Sequence, residues 1–185
     1  GEARDVDVVG DLGVAPENYQ ILAARVDGLA PEADGYCYRL VRGQTPLTDW
    51  ASLTLAPPSD PDRVDRFVIL GDSGNGRPAQ YAIARRIWNA PMDAIIFLGD
   101  IAYTSGTYEE LQGRFFDVYA TLFQRVPVYS VIGNHEDRTE GGEPFEKAFL
   151  LPRNQRWFSF DLPDVHFVAL DTTRISREQA RWLDA

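Results

Sequence analysis

Three short polar clusters in this chain each stand directly behind an apolar run. Gly71-Asp72-Ser73-Gly74 follows Phe67-Val68-Ile69-Leu70, Gly99-Asp100-Ile101-Ala102-Tyr103 follows Ala94-Ile95-Ile96-Phe97-Leu98, and Gly133-Asn134-His135-Glu136 follows the run from Val126 to Ile132. Two carboxylates, a phenol and an amide form a hard, oxygen-rich donor set of the kind that binds oxygen-seeking metal cations. A single Gly-Asp behind a strand commonly serves as a turn or a helix cap. Three such clusters in register are harder to assign to turns alone, and they point to one shared site.

The elements that must position these donors can be read from the hydrophobic pattern. The runs Phe67–Leu70, Ala94–Leu98 and Val126–Ile132 read as buried strands. Between the first two lies a helical stretch from Pro78, a suitable first-turn residue, to Asn89. Between the second and third, Thr107-x-x-Glu110 reads as a capping box opening a helix with Leu111, Phe115, Tyr119 and Leu122 on one face. Strand-helix alternation favours parallel pairing, and the intervals from Asp72 to Asp100 and from Asp100 to Asn134 are each about 30 residues, one strand-helix-strand unit. In an open α/β sheet the carboxyl ends of the strands form the ligand crevice, and the glycines let each loop turn sharply into it. Trp157–Leu162 and Val165–Leu170 then read as a hairpin, and Ser176-x-x-Gln179 as the cap of a last helix holding Trp182 and Leu183.

The N-terminal third has a different texture. Tyr19–Val26, Tyr36–Val41 and Trp50–Leu55 alternate with period two and are separated by Gly and Pro, which reads as an antiparallel β segment. Pro57-Pro58-Ser59-Asp60-Pro61-Asp62 follows as a stiff linker without an apolar anchor. The expected division is residues 1–57, a linker at 58–65, and an α/β unit from 66 to 185. Roughly three β runs are too few for a sandwich of about seven strands. The last helix has no Gly or Asn cap after it, so both ends read as cut.

These motifs resemble the calcineurin-like metallophosphoesterases, and within them the purple acid phosphatases. The ordered set D-x-G, G-D-x-x-Y and G-N-H-[DE] occurs at Asp72 to Gly74, Gly99 to Tyr103 and Gly133 to Glu136. Most of the superfamily has a His two residues after the first Asp. Here Gly74 stands in that place, and Tyr103 is present, as in the purple acid phosphatases. The resemblance implies an α/β fold of mixed β-sheet layers flanked by helices, of which this chain would hold the N-terminal half. The segment Val26-Asp27-Gly28-Leu29-Ala30-Pro31 with Gly35-Tyr36-Cys37-Tyr38-Arg39 is similar to the end of the fibronectin type III-like domain that often precedes it.

For the site, the resemblance implies that Asp72 and the Tyr103 phenolate bind a ferric ion. Asp100 would bridge it to a second, divalent metal (Fe, Zn or Mn), and Asn134 would bind that second ion. His135 would be catalytic, contacting the phosphoryl group or the leaving oxygen. The implied activity is acid-phosphatase-type hydrolysis of phosphate monoesters by a metal-activated hydroxide, with a phosphate ester as the partner and an extracytoplasmic setting. The family pattern also calls for V-x-x-H and G-H-x-H, which supply three further His ligands. Only His135 and His166 occur in this sequence, and His166 sits in an alternating strand, where a solvent-facing or core role is expected. Four of seven ligands are therefore present, and the chain by itself is expected to be inactive.

Two other readings compete. Gly71-Asp72-Ser73-Gly74 also resembles the nucleophile turn of GDSL-like serine esterases, with His166 as the one plausible base for Ser73. However, Asp164-Val165-His166 is one residue short of the Asp-x-x-His those esterases carry. A noncatalytic binding or vestigial module is the other alternative.

Composition sets the bounds. The chain has 185 residues, 44% of them apolar and 25% charged, which is a globular composition. With 28 acidic and 18 basic residues its formal charge is −10, all but Lys147 of the basic residues are Arg, and these are scattered. Such a surface repels nucleic acid and anionic membranes. No stretch approaches the roughly 20 apolar residues of a membrane span, and there is no internal repeat. Cys37, flanked by two tyrosines, reads as a small buried hydrophobe.

Overall fold

The computed structural model describes residues 8–15, 19–30, 35–53, 55, 60, 62–152, 154–162 and 164–185, with side chains from residue 24 onward. Residues 58, 59 and 61 of the expected linker, and with them the expected boundary at 57/58, lie outside the described residues.

The part that positions the site is a three-stranded parallel sheet of β7 (Phe67–Leu70), β8 (Ala94–Phe97) and β9 (Val128–Ser130), in that order. The parallel pairing agrees with the strand-helix alternation of the sequence. Register places Val68 beside Ile95, and Ile69 beside Ile96 beside Tyr129, so side chains alternate between the two faces. β8 is central and buried throughout. On one face Val68, Leu70, Ile95, Phe97 and Val128 meet the helical core. On the other, Phe67 and Tyr129 meet the antiparallel hairpin β10 (Phe158–Leu162) and β11 (Val165–Ala169) through edge contact of Phe67 with Phe167 and stacking of Tyr129 on Phe160. β7 is less buried than its apolar run suggests, with Ile69 54% exposed.

α1 (Pro78–Trp88) begins with Pro in its first turn and ends at Asn89, as the sequence indicates. The next helix opens at α2 (Tyr108–Leu111), passes through a π-turn at Gln112–Phe116 and continues as α3 (Asp117–Phe123). Leu111, Phe115, Tyr119 and Leu122 form its buried face, all at most 1% exposed, and Phe115 and Tyr119 pack edge-on against Phe97. α4 (Glu143–Ala148) adds Phe145 and, just beyond it, Phe149 to the same core. At the starts of the strands, Asp93 accepts from the Arg66 amide at 2.8 Å and pairs with Arg63, fixing β7 beside β8.

The preceding segment forms two-stranded antiparallel ladders: β1 (Val8–Ala15) with β2 (Tyr19–Ala24), β3 (Tyr36–Tyr38) with β6 (Ala51–Leu53), and β4 (Val41–Arg42) with β5 (Thr45–Pro46). No two-sheet sandwich forms among the described residues. The Tyr38 hydroxyl donates to the Gln124 carbonyl at 3.1 Å, and Leu53 joins Phe116, Phe123 and Val126 around a shallow apolar groove.

Several expectations need correction. Cys37 is exposed, since β3 pairs with β6 alone and nothing among the described residues covers that face. β9 is shorter than the run Val126–Ile132. α5 (Arg177–Leu183) is capped by Ser176 as expected, but Leu183 is 52% exposed. β1 and α4 were not evident in the sequence. β1 carries two glycines and an acid within its eight residues, and α4 is too short for its period to register.

Candidate metal centre

Each polar cluster occupies the loop directly after a parallel strand: Gly71–Gly74 after β7, Gly99–Tyr103 after β8, and Gly133–Glu136 a few residues after β9. The loops are interlocked by main-chain hydrogen bonds. Asp72 N–H donates to Gly99 O at 3.2 Å, Gly74 N–H to Asp100 O at 3.1 Å, and Tyr103 N–H to Gly74 O at 2.9 Å. This contact is possible only without a side chain at residue 74: a Cβ there would lie 1.8 Å from the Ile101 carbonyl carbon and oxygen. Gly133 is equally confined, its absent Cβ falling 2.2 Å from the Asp100 amide nitrogen.

The interlock brings three oxygens together. Tyr103 Oη lies 2.9 Å from Asp72 Oδ1 and 3.1 Å from Asp100 Oδ2. Both aspartates adopt positive φ, 52° at Asp72 and 53° at Asp100, a left-handed conformation that costs a non-Gly residue roughly 1–2 kcal/mol and that the surrounding loops must enforce. Burial, followed by the hydrogen bond to Asp72 and the charge of Asp100, pushes the Tyr103 phenol well above its ordinary pKa.

His135 adjoins this cluster. Its ring lies 4.2 Å from the Tyr103 ring, centroid to centroid, and Nε2 is 4.0 Å from Asp100 Oδ2. Nδ1 is 2.6 Å from Thr104 O, an acceptor, which assigns the proton to Nδ1 and leaves the Nε2 lone pair on the side of the cluster. Arg138 donates to Thr104 O at 3.0 Å and places Nη2 3.4 Å from His135 Nε2, bringing a cation to the edge of an otherwise acidic site. Asn134 is exposed on the same loop, between Gly133 and His135.

Of the residues singled out in the sequence, the structure thus brings Asp72, Asp100, Tyr103 and His135 into one cluster and places Asn134 on the adjoining loop. Ser73 is 9% exposed, its hydroxyl makes no hydrogen bond of ordinary geometry, and its polar neighbour is the Tyr119 phenol, not a base. His166 is exposed on the hairpin and pairs with Asp161 at 2.7 Å. The nucleophile-base contact that a serine esterase requires is not formed.

Glu136 escaped assignment in the sequence. It is 0% exposed, and its carboxylate accepts four amides: Asp100 N–H at 2.8 Å and Gly133 N–H at 2.9 Å on one oxygen, Ile101 N–H at 3.0 Å and Ala102 N–H at 2.9 Å on the other. Burial pushes its pKa above the usual carboxylate range, opposed by these amides. The available signal was local: a Glu three residues after Gly133, at the start of a 3-10 turn, can reach back to its amide as in a capping box. Glu110 acts similarly for the segment after Tyr103. It closes the capping box with Thr107 and also accepts the amides of Thr104 and Ser105.

Among the described residues no group of three or more His, Cys, Asp and Glu side chains forms a metal cage. The donor set is instead two carboxylates and a phenol. It fits a hard cation, because two carboxylate oxygens converge on a single phenolic proton and the cluster is short of positive charge.

An α/β sheet with convergent acidic loops at the carboxyl ends of its parallel strands defines a candidate metal-binding hydrolase site. A sequence model of the calcineurin-like phosphoesterases matches residues 65–178, and the chain belongs to that family. Its fold is similar to that of a purple acid phosphatase isolated from yellow lupin (Lupinus luteus) seeds, with a TM-score of 0.63 at 23% identity. The match covers 74% of this chain and 30% of the lupin chain, so the present chain spans under a third of that protein. No curated protein sequence matches the chain.

Proposed function

We propose that this chain carries the first part of a dinuclear metal centre that hydrolyses phosphate monoesters in the manner of a purple acid phosphatase. The observation that carries this reading is the convergence of Asp72 Oδ1 and Asp100 Oδ2 on Tyr103 Oη at the ends of adjacent parallel strands, with His135 alongside.

In this reading Asp72 and Tyr103 would hold a ferric ion, Asn134 would hold a divalent Fe, Zn or Mn, and Asp100 would serve both. When bound, the metals supply Lewis-acid neutralisation of phosphate charge and a water made acidic enough to react near neutral pH. The remaining work falls to protein groups. Asp100 is fixed by a hydrogen bond to one carboxylate oxygen, from His135 N–H to Oδ1 at 3.1 Å, so that Oδ2 is presented to the cluster. His135, oriented through Nδ1 by Thr104 O, turns Nε2 toward the cluster, where contact with a phosphoryl or leaving oxygen would require an Nε2–H donor, the imidazolium form. Arg138 offsets part of the acidic charge that would repel a phosphate ester.

The three further His ligands that the resemblance calls for do not occur in this sequence, which supports incomplete metal loading and no turnover by this stretch alone. The test is calorimetric titration of the chain with Mn2+, alongside Asp100→Asn and a chromogenic aryl phosphate. Expected are Mn2+ binding weakened more than about tenfold by Asp100→Asn and no hydrolysis. Hydrolysis that survives chelation, or Mn2+ binding indifferent to Asp100→Asn, would overturn the proposal. Activity abolished by Ser73→Ala would favour the esterase instead.

A further inference from the structure

A carboxylate with no exposed surface, and with no cation against it among the described residues, must be compensated by hydrogen bonds. For Glu136 that compensation comes from two different loops. Three of its amide donors, Asp100, Ile101 and Ala102, belong to the loop after β8, and the fourth, Gly133, precedes Asn134 on the loop after β9. All four lone-pair positions of the carboxylate are thereby used. The main chain also closes tightly around it. A Cβ at Gly133 would fall 2.7 Å from Glu136 Oε2, and one at Gly106 would fall 2.3 Å from Glu136 Cα.

The donors are not arbitrary pieces of main chain. The Asp100 amide belongs to a residue held at positive φ, and that residue's carboxylate is gripped on Oδ1 by the His135 amide. Glu136 therefore fixes the backbone of Asp100 from one side while its own loop fixes the side chain from the other. A slip between the two loops would turn Asp100 Oδ2 away from Tyr103 Oη and move Asn134 and His135 together.

We propose that Glu136 is a positioning residue: its buried carboxylate locks the loop after β8 to the loop after β9 and so sets the direction in which Asp100 presents its free oxygen. The proposal rests on the metal-site reading for its consequence and on the four hydrogen bonds from main-chain amides for its cause, and the two can be tested apart. Glu136→Gln keeps size and shape but replaces two acceptor positions with N–H donors that face amide donors. Leu122→Ala serves as the control. Leu122 is a core residue of α3, 1% exposed, near the start of β9 and thus at the opposite end of the strands from the loops.

The full chain is first followed without metal by amide hydrogen exchange. Expected is faster exchange at Asp100, Ile101, Ala102 and Gly133 in Glu136→Gln, with β8 amides unchanged, whereas Leu122→Ala loosens the core and spares these four. Titration with Mn2+ is then expected to show binding weakened about 10- to 100-fold by Glu136→Gln, partly recovered in Glu136→Asp, and within about twofold of wild type in Leu122→Ala. Unchanged protection of the four amides in Glu136→Gln overturns the proposal, as does equal loss of Mn2+ affinity in Leu122→Ala, which would reduce Glu136 to general stability. If wild type takes up no Mn2+, the metal-site reading fails, and the exchange comparison still decides whether Glu136 holds the loops.

Discussion

Gly74 separates a lost ligand from a packing requirement. The sequence pattern shows Gly where most of the superfamily has His, as though a ligand had simply been deleted. In the structure a Cβ at this position would lie 1.8 Å from Ile101 C and O and 2.4 Å from Ala102 N, all main-chain atoms that cannot swing aside. Bringing those contacts to a tolerable 3.0 Å requires the loops after β7 and β8 to part by more than an ångström. That separation breaks Gly74 N–H to Asp100 O and Tyr103 N–H to Gly74 O. Two buried main-chain bonds left unmade cost about 1–3 kcal/mol each, so Gly74→Ala is expected to lose about 2–6 kcal/mol, a large part of the stability of an ordinary domain. Urea unfolding followed by tryptophan fluorescence measures it, with Gly113→Ala as the reference. At Gly113, in the π-turn, a Cβ meets nothing within 4 Å, and Ala is expected to be neutral or stabilising by about 0.5–1 kcal/mol. A loss below about 1 kcal/mol in Gly74→Ala at unchanged m-value would refute the interlock. By the same logic Gly74→His should not restore a metal ligand but abolish Mn2+ binding.

Two further outcomes follow from the same geometry. Tyr103→Phe removes the phenol between Asp72 and Asp100 and leaves two carboxylates facing each other. The Fe3+-loaded chain should lose the visible charge-transfer absorption of a ferric phenolate, and retention of that colour would assign it to another residue. Asp171, 0% exposed, is drawn by burial toward a higher pKa, but its bonds from Thr173 and Arg156 hold it below the ordinary carboxylate value. A depressed folded-state pKa contributes stability that is complete above the unfolded pKa of about 3.9 and is lost as pH falls through the folded value. Because Arg156 keeps Asp137 and Glu146 as partners, Asp171→Asn should cost about 1.5–3 kcal/mol near neutral pH, less at low pH, with a flatter acid limb in thermal unfolding. A pH-independent difference would show that the pair with Arg156, 2.7 Å in the structure, does not hold in solution.

The sequence by itself determined the parallel core and the loops that carry the chemistry. Continuous apolar runs ending in Gly-Asp or Gly-Asn specify buried strands with polar ends, and the capping box at Thr107 and the N-cap at Ser176 fix where helices begin, because these are local signals decided within a few residues. Tertiary structure alone decided which oxygens meet. Asp72, Asp100 and Tyr103 converge because Gly74 and Gly133 let main chains touch, a fact of distance between loops that no local pattern encodes. The role of Glu136 was hidden for the same reason. The sequence places it in the third cluster without assigning it a role, and only the folded chain supplies the four amides from two loops that make its complete burial tolerable. Exposure of Cys37 and of Ile69 was likewise unreadable, since an apolar residue in a strand is covered only if another element lies over its face.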